Sequence, residues 1–245
     1  MSQNINTNSS SSKGPESKTI QNLFSNISGS YDSANDLITF GIARLWRKKL
    51  VRWSDVKSTD HVLDIATGTG DLAFDFYNAQ GKRPDVVIGA DFCEPMLEIA
   101  RQKAQDQKAQ IGFQFADACA LPFADESFDV VSISYGLRNV EDLSKAVSEM
   151  YRVLKPNGRM MILETGSESR GVLGPFVKFY NNKVMPILGG IISGKKDAYN
   201  YLSKSSSKFP SGQALIDMIQ QSAPFEKIQY QSLMGGASFI YKATK

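Results

Sequence analysis

Val62-Leu63-Asp64-Ile65-Ala66-Thr67-Gly68-Thr69-Gly70-Asp71 is the stretch that decides the fold of this chain. An apolar strand ends at a carboxylate, breaks into a glycine turn and starts a helix. Gly68 and Gly70 let the backbone turn sharply and let a ligand lie against bare peptide. Farther on, a second strand, Asp85-Val86-Val87-Ile88-Gly89-Ala90, ends in Asp91. An acid at that place can accept from two ribose hydroxyls. Together these residues point to a nucleoside-cofactor site.

The glycine pattern leaves the nucleoside open. Gly68-Thr69-Gly70-Asp71-Leu72-Ala73 also satisfies the dinucleotide fingerprint with its permitted final Ala. Two features argue against a dinucleotide. Asp71 sits at the start of the next helix, where its carboxylate would repel a pyrophosphate. Asp64 adds a further acid at the mouth of the first strand. A cluster of Asp64, Asp71 and Asp91 suits a ligand carrying an ammonium and a sulfonium, and S-adenosylmethionine is such a ligand. The plain alternative for Asp71 is a helix cap.

Outward from this core, the 245 residues suffice for one large α/β domain. The net charge of +3 is modest, and no Lys/Arg stripe with interleaved aromatics suggests nucleic acid. Arg44-Leu45-Trp46-Arg47-Lys48-Lys49, followed by Arg52, is the most basic segment. It reads as a solvated helix face, with contact to anionic lipid headgroups as the functional alternative. Cys93 and Cys119 make neither a zinc spacing nor a disulfide framework and read as reduced thiols. No metal site is expected. The longest apolar candidate, Val184 to Ile192, is too short to span a membrane and holds Pro186. Residues 1–18 are rich in Ser and Asn, and are expected to be a disordered tail. They contain no Arg, which argues against a transit peptide.

Residues 19–53 show helical spacing, with a break at Gly29-Ser30. Strands are expected at His61–Ala66, Val86–Ala90, Ile111–Ala116, Phe128–Ser134 and Arg159–Glu164. Helices are expected near Asp71–Ala79, Glu94–Gln107 and Asp142–Leu154, with Lys155-Pro156-Asn157-Gly158 as a turn. Such alternation implies a parallel, doubly wound sheet, with ligands at the carboxyl ends of its strands. Asp64, Asp91, Asp117, Ser134 and Glu164 all lie at such ends. Residues 165–209 are too apolar for a plain loop and read as helices covering the sheet or as a lid over a greasy substrate. A last helix, Pro210–Gln221, precedes an antiparallel pair, Lys227–Ser232 and Ala237–Ala243, joined across Gly235-Gly236.

The motifs at 62–71, Gly89-Ala90-Asp91-Phe92, Asp117-Ala118 with Leu121-Pro122-Phe123, and Ser127-Phe128-Asp129-Val130-Val131 resemble the class I S-adenosylmethionine methyltransferases. Tyr135-Gly136-Leu137-Arg138-Asn139-Val140 is similar to the Phe-Gly-Leu-Arg-Asn-Val signature of the ubiquinone/menaquinone C-methyltransferases. So are Tyr31-Asp32 with Asn35, the segment Ser193-Gly194 to Tyr201-Leu202, and Lys208-Phe209-Pro210. The resemblance covers nearly everything from Phe24 to Lys242.

It implies a Rossmann-like α/β fold, with a doubly wound, mostly parallel seven-stranded sheet, an antiparallel last strand and added helices over the active site. Residues 19–245 would form that single domain. The implied cofactor is S-adenosyl-L-methionine. Asp64, Gly68, Thr69 and Gly70 would form its loop, with Thr69 gripping the methionine part. Asp91 would hold the ribose, Asp117 and Ala118 the adenine, and Ser134 would sit near the transferred methyl. Tyr135 stands where the family has Phe, and its hydroxyl at that depth needs a partner.

The implied reaction is methylation of a ring carbon of a polyprenyl hydroquinone, demethylmenaquinol to menaquinol, with a benzoquinol as the sibling substrate. The alternatives are an O- or N-methyltransferase of the same fold, or a non-catalytic nucleotide-binding protein. Arg138 carries a guanidinium, which is a poor proton acceptor and suits a phenolate as an electrostatic partner rather than as a base. A structural ion pair with Glu141 or Asp142 is its plain alternative. A water held by Arg138, Asn139 and Tyr31 could relay the proton, and Glu164 is a second candidate base. His61, the only histidine, starts the first strand away from the site and reads as a surface residue. The greasy substrate implies a cytoplasmic protein touching the inner face of the membrane without spanning it. Whether it forms a homodimer is left open.

Overall fold

Val62, Leu63, Asp64 and Ile65 are all buried, because β1 (Val62–Ile65) lies in a sheet covered on both faces. Parallel strands in that position need continuous apolar runs rather than alternation. β4 (Phe128–Ser134) is built the same way, with Val130, Val131 and Ile133 fully buried. The structure, a computed structural model, describes residues 14–32, 36, 39, 41–166, 201, 205–206 and 209–245.

The remaining strands are β2 (Val87–Asp91), β3 (Gly112–Phe115), β5 (Leu154–Thr165), β6 (Lys227–Leu233) and β7 (Ser238–Thr244). Their order in the seven-stranded sheet is β3-β2-β1-β4-β5-β7-β6. β1 to β5 pair in parallel, and β7 runs antiparallel to both β5 and β6. The chain winds outward from β1 to β3, then returns to place β4 beside β1. That reversal of winding opens a crevice above the carboxyl ends of β1 and β4, where ligands of such sheets bind.

α1 (Ser17–Ile27) packs on α4 (Glu94–Asp106). α2 (Ile42–Ser54) and α3 (Asp71–Ala79) cover one face through Leu50, Phe76, Val87, Met161 and Ile240. α5 (Leu143–Val153) and α6 (Gln213–Ser222) cover the other through Leu63, Val131, Met150, Leu215 and Ile219.

Two expectations need correction. β5 begins at Leu154, which pairs with Phe128, and pairing resumes at Val130 with Arg159. Lys155-Pro156-Asn157-Gly158 therefore loops out of a continuing strand, with Asn157 left-handed at φ 62°. The N-terminal segment is also ordered earlier than expected. Gly14 N donates to Glu141 O at 2.7 Å and Ser17 Oγ to Glu141 Oε2 at 2.8 Å. A tail without structure through residue 18 is thus too long by several residues. Most of the lid expected over 165–209, including Phe176 to Ile192 and Ser193-Gly194, lies outside the described residues, as does Asn35.

The chain just past β4 lies close against the chain just past β1. A Cβ on Gly136, just past β4, would lie 2.5 Å from the Ala66 Cβ just past β1. Ala66 is itself left-handed, at φ 50°. Gly136→Ala should therefore cost about 1–3 kcal/mol by overpacking. Adding Ala66→Gly should restore part of that loss, because it removes both the clash and the strained φ. Urea unfolding of the two single variants and the double variant measures this, and strict additivity would contradict the contact.

Candidate functional site

The loop after β1 is shaped by positive φ at Ala66 (50°), Gly68 (57°) and Gly70 (89°). Thr67 N donates to Ala90 O at 3.1 Å, and Gly70 N turns back to Thr67 O at 2.9 Å. A Cβ on Gly68 would meet no atom within 4 Å, so it would project into the open cleft. The peptide there is bare to a ligand. Gly89 is needed for a different reason: a Cβ would lie 2.7 Å from the Phe113 ring and 2.9 Å from Thr67 Oγ1.

Asp91 ends β2 and faces the cleft. Its Oδ2 accepts from Gly68 N at 2.8 Å and its Oδ1 from Cys93 N at 2.9 Å. Burial pushes its carboxyl up to about 6, although the amides of Gly68 and Cys93 pull the other way. Asp117 and Ala118 follow β3, and Asp117 Oδ1 accepts from Cys119 N at 2.8 Å. These strand ends border an open cleft. Gly68, Asp91, Asp117, Ala118 and Ser134 line it, as do Tyr31 and Asn139. Its outer wall comes from Ser17, Phe24 and Tyr31, with the Phe24 and Tyr31 rings edge to face at 5.9 Å.

The other expected cofactor residues support the loop from behind. Asp64 is buried and does not line the cleft. It accepts from Thr67 Oγ1 at 2.7 Å and Ser132 Oγ at 2.8 Å, tying the loop to β4. Burial pushes its carboxyl up to about 7 against those two bonds. Thr69 Oγ1 donates to Asp32 Oδ1 at 2.6 Å, and the Thr69 carbonyl accepts from Lys103 Nζ at 3.1 Å. Gly70 packs on Phe113 and Phe74. Asp71 does not line the cleft either, and Arg47 at 2.8 Å and Lys103 at 3.1 Å answer its charge. Lys103 also holds Asp32 at 2.7 Å and so fastens the N-terminal segment to the loop.

β4 ends in a left-handed Tyr135, at φ 55°, and a 3-10 turn, Leu137–Asn139. The extra hydroxyl of Tyr135 finds Ser238 Oγ at 3.3 Å. Asn139 Nδ2 donates to Tyr135 O at 3.4 Å, and its Oδ1 accepts from Tyr201 Oη at 3.3 Å. Arg138 pairs with neither Glu141 nor Asp142. Its Nη1 meets Glu164 Oε1 at 2.5 Å, with the two side chains 8% and 1% exposed. Glu141 instead takes Ser17, and Asp142 caps α5 by accepting from Lys145 N at 3.0 Å. Glu164, engaged in this pair, is not placed to act as a base. His61 is half exposed beside Asp129, at the other end of β1.

Ser238, Tyr201 and Lys103 were not singled out from sequence. Each reaches the site through long-range pairing or packing, and only Tyr201 lay within a quoted motif. Among the described lining residues there is no Lys or Arg, while Asp91, Asp117 and Glu141 supply acid. That charge opposes a pyrophosphate and favours a cationic ligand, which weakens the dinucleotide alternative.

The chain matches the ubiE/COQ5 methyltransferase family over residues 11–245. It is 45% identical over 234 residues to a ubiquinone/menaquinone biosynthesis C-methyltransferase UbiE from Bdellovibrio bacteriovorus, covering 96% of this chain and 99% of that protein. It is 42% identical over 220 residues to a demethylmenaquinone methyltransferase from Thermus thermophilus, covering 89% of this chain and 98% of the other. Its fold is similar to a crystal structure of a SAM-dependent methyltransferase, described as a possible histamine N-methyltransferase, from Thermotoga maritima. The TM-score is 0.66 at 22% identity, over 92% of this chain and 99% of that one.

On the expectation that Asp91 accepts from both ribose hydroxyls, it must be ionised to do so, and ligand binding should release its proton. Affinity for S-adenosylhomocysteine, by calorimetry, should fall roughly tenfold per pH unit below about 6. Asp91→Asn should bind more weakly and lose that pH dependence. The stability of the ligand-free protein should run the opposite way. Folded Asp64 and Asp91 bind protons more tightly than unfolded ones, so their burial cost vanishes as pH falls from about 7 towards about 4. Affinity that is flat between pH ~5 and ~7 would contradict the placement of Asp91.

Proposed function

The chain belongs to the ubiE/COQ5 methyltransferase family, and on that premise we propose that it methylates a ring carbon of a polyprenyl hydroquinone, converting demethylmenaquinol to menaquinol. Its cofactor is S-adenosylmethionine. The observation that carries the reading is the run Tyr135-Gly136-Leu137-Arg138-Asn139 at the carboxyl end of β4. It places Asn139 in the cleft and a buried guanidinium beside it. The relatives carry both menaquinone and ubiquinone names, so a benzoquinol is the sibling substrate.

When bound, the cofactor would supply an electrophilic sulfonium methyl, which the ring carbon would take as the S–C electron pair stays on sulfur, and the displaced ring proton would pass to water held by Asn139 and Tyr31 at the cleft. The protein's part is to hold and to polarise. Asp91 would take the ribose hydroxyls, Asp117 and Ala118 would border the adenine, and Ser134 would sit near the transferred methyl. A phenol with a pKa near 10, by analogy with Tyr, is mostly protonated at neutral pH. Arg138 stabilises its phenolate, which pushes electron density to the reacting carbon. Asn139 and Tyr31 hold the hydroxyl end, with Tyr201 bonded to Asn139.

The greasy substrate is collected at a membrane surface, which the protein touches without spanning. No helix among the described residues is long and apolar enough to cross a bilayer. Arg47 turns inward to Asp71 and Asp75, but Arg44, Leu45, Lys48, Lys49 and Arg52 form an exposed stripe along α2, with Leu45 65% exposed. Arg44 in that stripe is paired with Asp36. Basic residues around an exposed apolar side chain favour anionic headgroups.

Arg138→Ala should slow single-turnover methylation of a short-chain demethylmenaquinol about 10²–10³-fold, with S-adenosylhomocysteine affinity retained. It should also lower stability by about 3–5 kcal/mol, because Glu164 is left buried and unpaired. Arg138→Lys keeps the charge without the planar fork and should rescue both only in part. A normal rate per folded molecule in Arg138→Ala would refute the catalytic assignment.

Liposome sedimentation tests the surface reading. Lys48→Glu with Lys49→Glu should weaken binding to anionic vesicles by at least ~2 kcal/mol, at about 1 kcal/mol per cation removed. High salt should release the wild-type protein. Equal sedimentation of both proteins would exclude α2 as the contact.

A further inference from the structure

Glu164 stands at the carboxyl end of β5, next to Leu163, which pairs with Ser134 of β4. Its carboxylate is enclosed and fully engaged. Oε1 accepts from Arg138 Nη1 at 2.5 Å, from Thr165 N at 2.8 Å and from Thr165 Oγ1 at 3.2 Å. Oε2 accepts from the Arg138 backbone N at 3.3 Å. Glu164 therefore grips both the guanidinium and the main chain of one residue. Arg138 Nε, in contrast, is buried with no acceptor among the described residues. A guanidinium is a flat fork of five N–H donors, and the pair with Glu164 leaves part of it unengaged. Arg138 lies in the chain between Gly136 and Asn139, both of which line the cleft.

We infer that Glu164 is a positioning residue for the methyl transfer: it clamps Arg138 by Nη1 and backbone N, reserves the Nε edge for the substrate oxygen, and offsets the positive charge that this oxygen feels. The inference rests on the reading of Arg138 as the partner of the phenolate.

Removing the Glu164 charge should make the phenol easier to ionise, since an uncompensated cation favours the anion. The groups facing the pair do not mask that effect. The Tyr135 ring lies under the guanidinium, 5.8 Å from its carbon. Tyr201 senses Arg138, Tyr241 senses Glu164, and Tyr135 senses both, together with Arg47. Burial pushes all three tyrosine hydroxyls up, so they stay neutral through the working range.

The test compares Glu164→Gln and Glu164→Asp in the full chain, using a short-chain demethylmenaquinol and S-adenosylmethionine. Single-turnover rates are taken against pH, S-adenosylhomocysteine affinity is measured alongside, and the Arg138 side-chain N–H signals are followed by nitrogen-15 NMR. In Glu164→Gln the plateau rate should fall about 10²-fold, as misplaced groups do. Its acidic limb should move down by about one pH unit. Glu164→Asp keeps the charge but retracts it, so it should lose rate with the limb in place. Cofactor-product affinity should be unchanged in both. A merely structural role would lower thermal stability without moving the limb. A wild-type limb and rate per folded molecule in Glu164→Gln would overturn the inference. If that variant does not fold, a normal rate per folded molecule in Glu164→Asp overturns it. Wild-type protein that binds S-adenosylhomocysteine but methylates no hydroquinone would contradict the proposed function instead. In that case the NMR decides: averaged Arg138 signals in the variants support the clamp, and signals as sharp as wild type refute it.

Discussion

Two buried carboxylates hold the loop on which the site depends. Asp64 ties Thr67 to Ser132 of β4, and Asp91 ties Gly68 to the start of α4 through Cys93 N. Hydrogen bonds to charged acceptors contribute about 1.5–3 kcal/mol each, yet burial of each acid costs enough to raise its pKa well above the ordinary range. The arrangement is a compromise: the loop is fixed across three strands, and the acid facing the cleft still lacks partners that a ribose can supply.

The second constraint is charge placement around the crevice. Lys103 and Arg47 neutralise Asp71 and Asp32 outside the cleft, whereas the described lining keeps only acids. Arg138 is held behind the lining by Glu164. A buried pair of this kind is worth little as a source of stability and is costly to break. On the proposed function, its value lies in presenting a fixed guanidinium where negative charge develops, without a large net charge in the resting protein.

Much of this was legible in the sequence because strand ends in a parallel sheet are readable one at a time. Each apolar run stops at a polar residue, and Asp91, Asp117 and Ser134 fall on the cleft side as that pattern requires. What could not be read was contact set by register. Glu141 and Asp142 are the acids nearest Arg138 in the chain, but pairing of Ser134 with Leu163 brings Glu164 beside it. The β5–β7 ladder likewise brings Ser238 opposite Thr165 and within reach of Tyr135. Asp64 and Asp91 have the same chemistry and similar strand positions, and only the three-dimensional packing separates a brace from a ligand contact. At the N-terminus, Ser- and Asn-rich composition suggested a tail, yet Gly14 approaches the Val140 carbonyl so closely that a Cβ would lie 2.0 Å away. Composition does not report that kind of docking.

The central claim is that a nucleoside-bound methyl passes to a ring carbon polarised by the Arg138–Glu164 pair. The most direct measurement uses purified protein, S-adenosylmethionine labelled with carbon-13 in its methyl group, and a short-prenyl demethylmenaquinol kept reduced. Carbon NMR of the product locates the label. The account predicts a methyl bonded to the ring carbon, with both hydroxyls intact. A methoxy signal, or label left entirely on the cofactor, would contradict it.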